Sequence, residues 1–221
     1  MKKCLLISVI SLFVISCQKS EDNPSGSPTP PNVPNVTIGT QIWSVNNLDV
    51  TTYRNGDPIP QATDPIQWKT LTTGAWCYFN NDPTNKASYG KLYNWHAVND
   101  PRGLTPVGWH VPTNVEWTTL TDYLGGDNLA TGTVGGKMKA ISSLWISPNT
   151  GATNSSGFSG LPGGRRDNNG YEDIGYYGSW WSSIGFDLAG AWYRYLSNNN
   201  DYVGNSANNK TDGYSVRMVK N

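Results

Sequence analysis

Charge is scarce in this chain. Only 14% of its 221 residues are Asp, Glu, Lys or Arg, and the formal net charge is +0. Without Lys2 and Lys3, which would leave with a leader, it becomes −2. Neither value supplies the positive field that nucleic acid attracts, so no nucleic-acid partner is expected. Cysteine is limited to Cys4, Cys17 and Cys77. The first two fall in or at the end of the leader, so no disulfide is expected inside the domain. The remaining Cys77 reads as a small buried hydrophobe rather than a reactive thiol. Histidine occurs only as His96 and His110, too few alongside the cysteines for a zinc cage. Neither a GxSxG elbow nor an HExxH pair occurs, and a hydrolytic triad would have to recruit one histidine with a distant Ser and Asp. Gly160–Gly164 is broken by Pro162 and runs into polar loop, so it is no phosphate cradle. These gaps lead to the expectation that the protein is not an enzyme, with no cofactor beyond a possible calcium ion.

What the chain has instead is Gly 24, Pro 14, Trp 10 and Tyr 12. Disordered chains have few aromatics and high net charge, so most of this one is expected to fold around buried rings. At the N-terminus Met1–Lys3 is basic, and Cys4–Ser16 is an apolar run too short to span a bilayer stably. It ends in Val14-Ile-Ser-Cys17, which resembles a bacterial lipobox with Cys17 as the lipid anchor. The acidic Lys19–Asp22 stretch resembles the tether that sends some lipoproteins to the cell surface. The expected plan is a signal peptide over 1–16, a Pro/Ser/Gly tether over 17–34 and a single domain over 35–221, held by lipid at the outer membrane or cell surface.

Gly108–Gly126 carries the clearest local signals. Thr113 and Glu116 make a capping box, and Pro112 is placed to staple Trp117. Trp117, Leu120 and Leu124 form one apolar stripe, and Gly125-Gly126 provides the stop. Val115, off that stripe, is expected to meet a second surface. Strands are expected over Val36–Ile42, Trp43–Val50, Gly74–Phe79, Ser179–Ile184, Ala191–Leu196 and Tyr214–Val219. Lys91–Val98 fits either a strand or a helical turn, and Gly135–Ala140 and Leu144–Ile146 read as short elements. Phe158–Leu161 is expected to run into a turn at Pro162-Gly163-Gly164, and Asn198–Asp201 to be a hairpin loop. Trp180 and Trp181 must face opposite sides of their strand. The pattern predicts one α+β domain with an antiparallel sheet.

Trp43–Pro60, Gly90–Asn99, Gly108–Gly126, Ser147–Arg165, Trp180–Ser183 and Gly213–Val219 together resemble the Fibrobacter succinogenes major paralogous domain family. The match runs in order from about Val36 to Lys220. The resemblance implies a secreted or lipid-anchored bacterial protein and a C-type lectin-like fold, similar to that of formylglycine-generating enzymes: a twisted antiparallel sheet, few short helices and long irregular loops. Many relatives have cysteines where this chain has Thr105 and Met218, implying that the same strand pairing is held here by packing. The reactive cysteines of the formylglycine-generating enzymes are missing near the closing strand.

Two chemistries remain. Asp167, Asn168 and Asn169, with Glu172 and Asp173, offer hard oxygens of the kind calcium takes, the carboxylates Asp167, Glu172 and Asp173 being the metal candidates. The spacing is not an EF-hand, and Asx residues also serve turns. Sugar rings stack on Trp and Tyr while Asn and Asp read hydroxyls. On that ground Asp167, Asn168, Asn169, Trp180, Trp192, Tyr193, Tyr195 and Asn199 are the ligand-binding candidates, although many of the rings must serve the core. His110 and Glu116 suggest an acid/base pair, but cap and core account for them. The function expected is a lectin-like surface domain binding a glycan or cell-envelope component. The alternative is a structural or protein–protein interaction module.

Overall fold

The computed structural model describes residues 32–126 and 132–221. The expected signal peptide, Cys17 and most of the tether lie outside the described residues. In chain order the elements are β1 (Asn35–Ile38), β2 (Gln41–Ser44), α1 (Pro65–Lys69), β3 (Trp76–Cys77), α2 (Lys86–Tyr89), β4 (Leu92–Asn94), α3 (Trp95–Val98), β5 (Trp109–His110), α4 (Asn114–Tyr123) and α5 (Val134–Met138). There follow β6 (Gly163–Arg166), β7 (Tyr171–Ile174), β8 (Tyr177–Gly185), β9 (Gly190–Ser197), β10 (Gly204–Asn209), β11 (Gly213–Tyr214) and β12 (Val219–Lys220). One sheet runs β1-β2-β12-β5; the larger runs β10-β9-β8-β6-β11-β4-β3, with β7 on β6. Among these strands pairing is antiparallel except where β6 meets β8 at Gly164 and Gly178, and isolated parallel bridges join Gln61 to Trp76, Lys139 to Gly160 and Trp180 to Ser215. This is a mixed helix-and-sheet domain with mostly antiparallel sheets and short helices. No helix among the described residues is long and apolar enough to cross a membrane.

Helix α4 forms where its caps place it. The Thr113 hydroxyl accepts from the Glu116 N–H at 3.2 Å, and Glu116 Oε2 accepts from the Thr113 N–H at 2.8 Å. At the other end Gly125 N–H donates to Asp122 and Gly126 N–H to Thr121, the crossed pair of a Schellman stop, with both glycines at positive φ. Trp117 and Leu120 are fully buried and Leu124 nearly so. Val115 is 74% exposed, so the second surface expected for it is not found among the described residues.

The strand period sorts the rings of β8. Trp180 enters a core of Ile38, Trp43, Trp117, Leu120, Phe158 and Leu196. Its neighbour Trp181 enters another with Tyr53, Trp76, Tyr93, Trp109 and Tyr214. Lys91–Val98 turns out to be both of its alternatives in succession, a strand and then a helical turn capped by the Asn94 side chain. The second strand stops at Ser44 rather than Val50, and Gly74–Phe79 shortens to Trp76–Cys77 before a 3-10 turn. Leu144–Ile146 is turn rather than a regular element. Gly163 and Gly164, expected as a turn, open β6. A Cβ on Gly164 would come within 2.5 Å of the Glu172 carbonyl oxygen, so the glycine is what lets β7 approach. The Thr105 and Met218 positions are both buried, and the segments beyond them pair as β5 and β12.

Buried cations tie the long connections to this frame. Arg217 donates to the carbonyls of Ser44, Phe158 and Ser159 and to Asn47 Oδ1. Lys139 Nζ donates to the carbonyls of Thr150, Ser197 and Asn200. Arg166 donates to those of Ala62, Thr63 and Asp64, with its guanidinium 4.2 Å from the Trp68 ring centre. Each cation meets oxygens from loops that could not otherwise fill their hydrogen bonds away from water.

Candidate functional site

The register of β8, β9 and β10 decides which side chains share a face. Ser179 lies opposite Tyr195, and Trp181 opposite Tyr193. On the other edge of β9, Tyr195 faces Gly204 and Tyr193 faces Ser206. Tyr177, Tyr193 and Tyr195 therefore stand in a row on one side of the ribbon. Ring centres are 5.9 Å apart for Tyr177 and Tyr195 and again for Tyr195 and Tyr193. Tyr193 stacks at 4.6 Å on Tyr214, which is wholly buried against Trp181. The outer rings are thus seated on a rigid aromatic base. A Cβ on Gly204 would fall 2.0 Å from the Tyr195 ring, so glycine there gives the ring its place. With Ser179, Ser206, Arg165 and Asp173, the row lines a cleft of about 420 Å³.

The polar wall comes from the β6–β7 hairpin. Arg165 Nε donates to Asp173 Oδ2 at 2.8 Å, and its Nη2 donates to Glu172 Oε2 at 2.6 Å. Asp173 takes up positive φ (68°) inside β7, a strained geometry for a non-glycine residue at the edge of the cleft. Asp167 Oδ1 accepts from the N–H groups of Asn169 and Gly170, closing the hairpin, while its Oδ2 lies 3.8 Å from Arg165.

Beyond Arg165 a second cleft of about 180 Å³ is lined by Asp167, Asn168, Asn169, Asn208, Asn209 and Asp212. Asp212 is 1% exposed, and neither carboxylate oxygen has a hydrogen-bond partner among the described residues. Burial, then the Asp167 charge, pushes its carboxyl up to about 7, against a weaker pull from Arg165. Asn168 Oδ1 is also buried without a partner. A third cleft, about 440 Å³, shares Asn168 and Asn209 and adds Lys69, His96 and Lys210. Burial and the Lys210 charge hold His96 below its usual range.

The structure divides the expected residues. Tyr193 and Tyr195 share the first cleft; Asp167, Asn168 and Asn169 share the second. Trp180 is core, its indole N–H bonded to Asn47 Oδ1 at 2.8 Å, and offers no face to a ligand. Trp192 lies on the opposite side of β9, edge-on to Phe186 with ring centres 4.9 Å apart. Asn199 is exposed in the β9–β10 turn, accepting from Ser197 Oγ and Asn200 Nδ2. Glu172 Oε2 and Asp173 Oδ2 each accept from Arg165, so one oxygen of each of these two calcium candidates is committed to that cation. Among the described residues no three His, Cys, Asp or Glu side chains are grouped to hold a metal. Sequence reasoning missed Asp212, Ser179 and Ser206, whose roles depend on register and burial rather than on local pattern.

His110 and Cys77 each have defined surroundings. His110 Nε2 lies 2.6 Å from Glu116 Oε1, while Glu116 Oε2 serves the α4 cap. The pair anticipated as a catalytic temptation is therefore real, but it is part of a helix cap. Cys77 is fully buried and its thiol is pushed up by burial.

These features define a class: a mixed α and β domain with mostly antiparallel sheets, presenting a tyrosine-lined groove with a charged wall. Residues 36–220 match the model of the Fibrobacter succinogenes major domain. The chain belongs to that family. No curated protein and no solved structure matches it.

Proposed function

We propose that this protein is a lipid-anchored, non-catalytic surface protein whose C-type lectin-like domain binds an extracellular glycan or another cell-envelope component in the Tyr177–Tyr195–Tyr193 cleft. The observation that carries the reading is the row of part-exposed tyrosines on a buried aromatic base, with Arg165, Asp173, Ser179 and Ser206 beside it. Apolar sugar faces stack on such rings while hydroxyls find the polar wall. Binding to a glycan array is the test. Tyr193→Ala and Tyr195→Ala should each weaken a positive signal about tenfold, while Trp192→Ala, on the other face, should leave it intact. Absence of binding to any glycan would end the sugar reading. The anchor reading rests on the Val14–Cys17 lipobox, and Cys17→Ala should move the protein out of the membrane fraction.

A second reading, an interaction module in a surface assembly, draws on the β8–β9 hairpin. There Ile184, Phe186 and Leu188 are 42%, 55% and 100% exposed, an uncovered apolar tip. Co-purification of a stoichiometric protein partner from intact cells, lost in Phe186→Ser, would favour it.

A further inference from the structure

We propose that Asp212 and Asp167, with the Asn168 side-chain oxygen, form a calcium site in the small cleft beside Arg165. The starting point is a polar group the fold leaves unmet. Asp212 is 1% exposed, lines the cleft, and has no hydrogen-bond donor on either oxygen among the described residues. Buried carboxylates elsewhere in proteins are paired, and an orphan calls for a missing partner. The neighbours narrow the choice. Asp167 lines the same cleft, and its Oδ1 is already committed to two backbone N–H groups. Its Oδ2 is 3.8 Å from Arg165, beyond a hydrogen bond. Asn168 Oδ1 is the other buried, unpartnered oxygen lining the same cleft.

The charge count points the same way. Arg165 is the one cation in the lining of this cleft, and its Nε and Nη2 are bonded to Asp173 and Glu172. Asp167 therefore has only the long 3.8 Å ion pair to Arg165, and Asp212 has no ion pair among the described residues. Carboxylate and amide oxygens are hard donors, and calcium accepts an irregular set of them, with water filling the rest of its six to eight positions. A cleft of about 180 Å³ leaves room for that water. Magnesium, which demands an octahedron and keeps its own water, suits two carboxylates and an amide on separate loops less well. The ion would join the β6–β7 turn to the segment before β11, at the end of the groove that Arg165 shares with the tyrosine cleft.

The test is calorimetric titration of calcium into the full-length chain stripped of metal with chelator, together with melting in the same buffers. Calcium should bind one per chain with a dissociation constant of about 10⁻⁴–10⁻³ M, the range of extracellular modules. It should also raise the melting temperature, and magnesium should bind at least about tenfold more weakly. Asp212→Asn should weaken calcium at least about tenfold, and Asp57→Asn, an exposed carboxylate on another loop, should not change it. Should Asp212→Asn not fold, Asp167→Asn replaces it, because the amide oxygen can still hold the hairpin turn. No heat and no melting shift at about 10 mM calcium, or wild-type affinity in the variant that folds, would overturn the site. Calcium alone is the probe, so this outcome is independent of whether any glycan binds.

Discussion

The buried cations of the scaffold and the buried anion of the groove are treated in opposite ways. Arg217, Arg166 and Lys139 are each about as inaccessible as Asp212, yet each meets three carbonyl oxygens at 2.6–3.2 Å. Asp212 meets no donor among the described residues. Taking a charge out of water costs several kcal/mol unless hydrogen bonds replace the solvent. The cations are therefore accounted for by the fold itself. They close loops that carry few apolar residues, and they need no ligand. Asp212 gains no hydrogen bond from the described residues, a gap that the proposed calcium ion would fill. The lesson is that burial of charge separates into structure and site only when partners are counted.

The largest effect expected from this contrast is at Arg217. Replacing it by Met keeps much of the volume but strips donors from Ser44, Phe158, Ser159 and Asn47. Each orphaned buried acceptor costs about 1–3 kcal/mol, partly relieved by relaxation, so Arg217→Met should lose about 4 kcal/mol or fail to fold. Urea unfolding measures it. A loss under about 1 kcal/mol would mean that the carbonyls find water and that the cation is not a structural tie.

Asp212→Asn should behave differently. In metal-free buffer it removes a carboxylate to which no described residue donates a hydrogen bond, so stability should hold or rise by about 1 kcal/mol. A loss as large as that of Arg217→Met would place Asp212 among the structural charges and erase the distinction.

How much of this could be read from the residues alone follows the range of the forces. Helix α4 was legible because its signals, Thr113, Glu116 and Gly125-Gly126, act within one turn of the positions they specify. The opposed faces of Trp180 and Trp181 were legible because strand period is a property of the backbone. Strand β10 was not, since Gly204–Asn209 is rich in residues that disfavour strands and forms by registering on β9 under the Tyr195 ring. Strand β6 was hidden by Pro162-Gly163-Gly164, a turn signal that here serves close approach to β7. The Tyr193 and Tyr195 half of the groove was anticipated because alternation placed both on one face. Asp212 carried no local mark, because its isolation arises from packing among the β6–β7 turn, β10 and β11. Trp180 was misjudged as a binding ring because alternation tells which faces differ, not which one is covered.

A carboxylate that does have its partners sharpens the comparison further, with the smallest effect. Glu116 accepts from the Thr113 N–H at 2.8 Å and the Thr113 hydroxyl at 2.9 Å, and Nε2 of His110 lies at 2.6 Å. Burial alone would raise its carboxyl, but these groups together hold it below the usual value of 4.5. A carboxyl with a lowered folded pKa contributes stability that is present above its unfolded pKa and lost as pH falls through the folded one. Glu116→Gln retains a capping-box residue at N3 but not the charge. The variant should be less stable by about 1 kcal/mol or less at neutral pH. The gap should close as pH falls below about 4. Melting curves of the two proteins across that range check it. A gap that persists in acid would show that Glu116 acts through shape rather than charge.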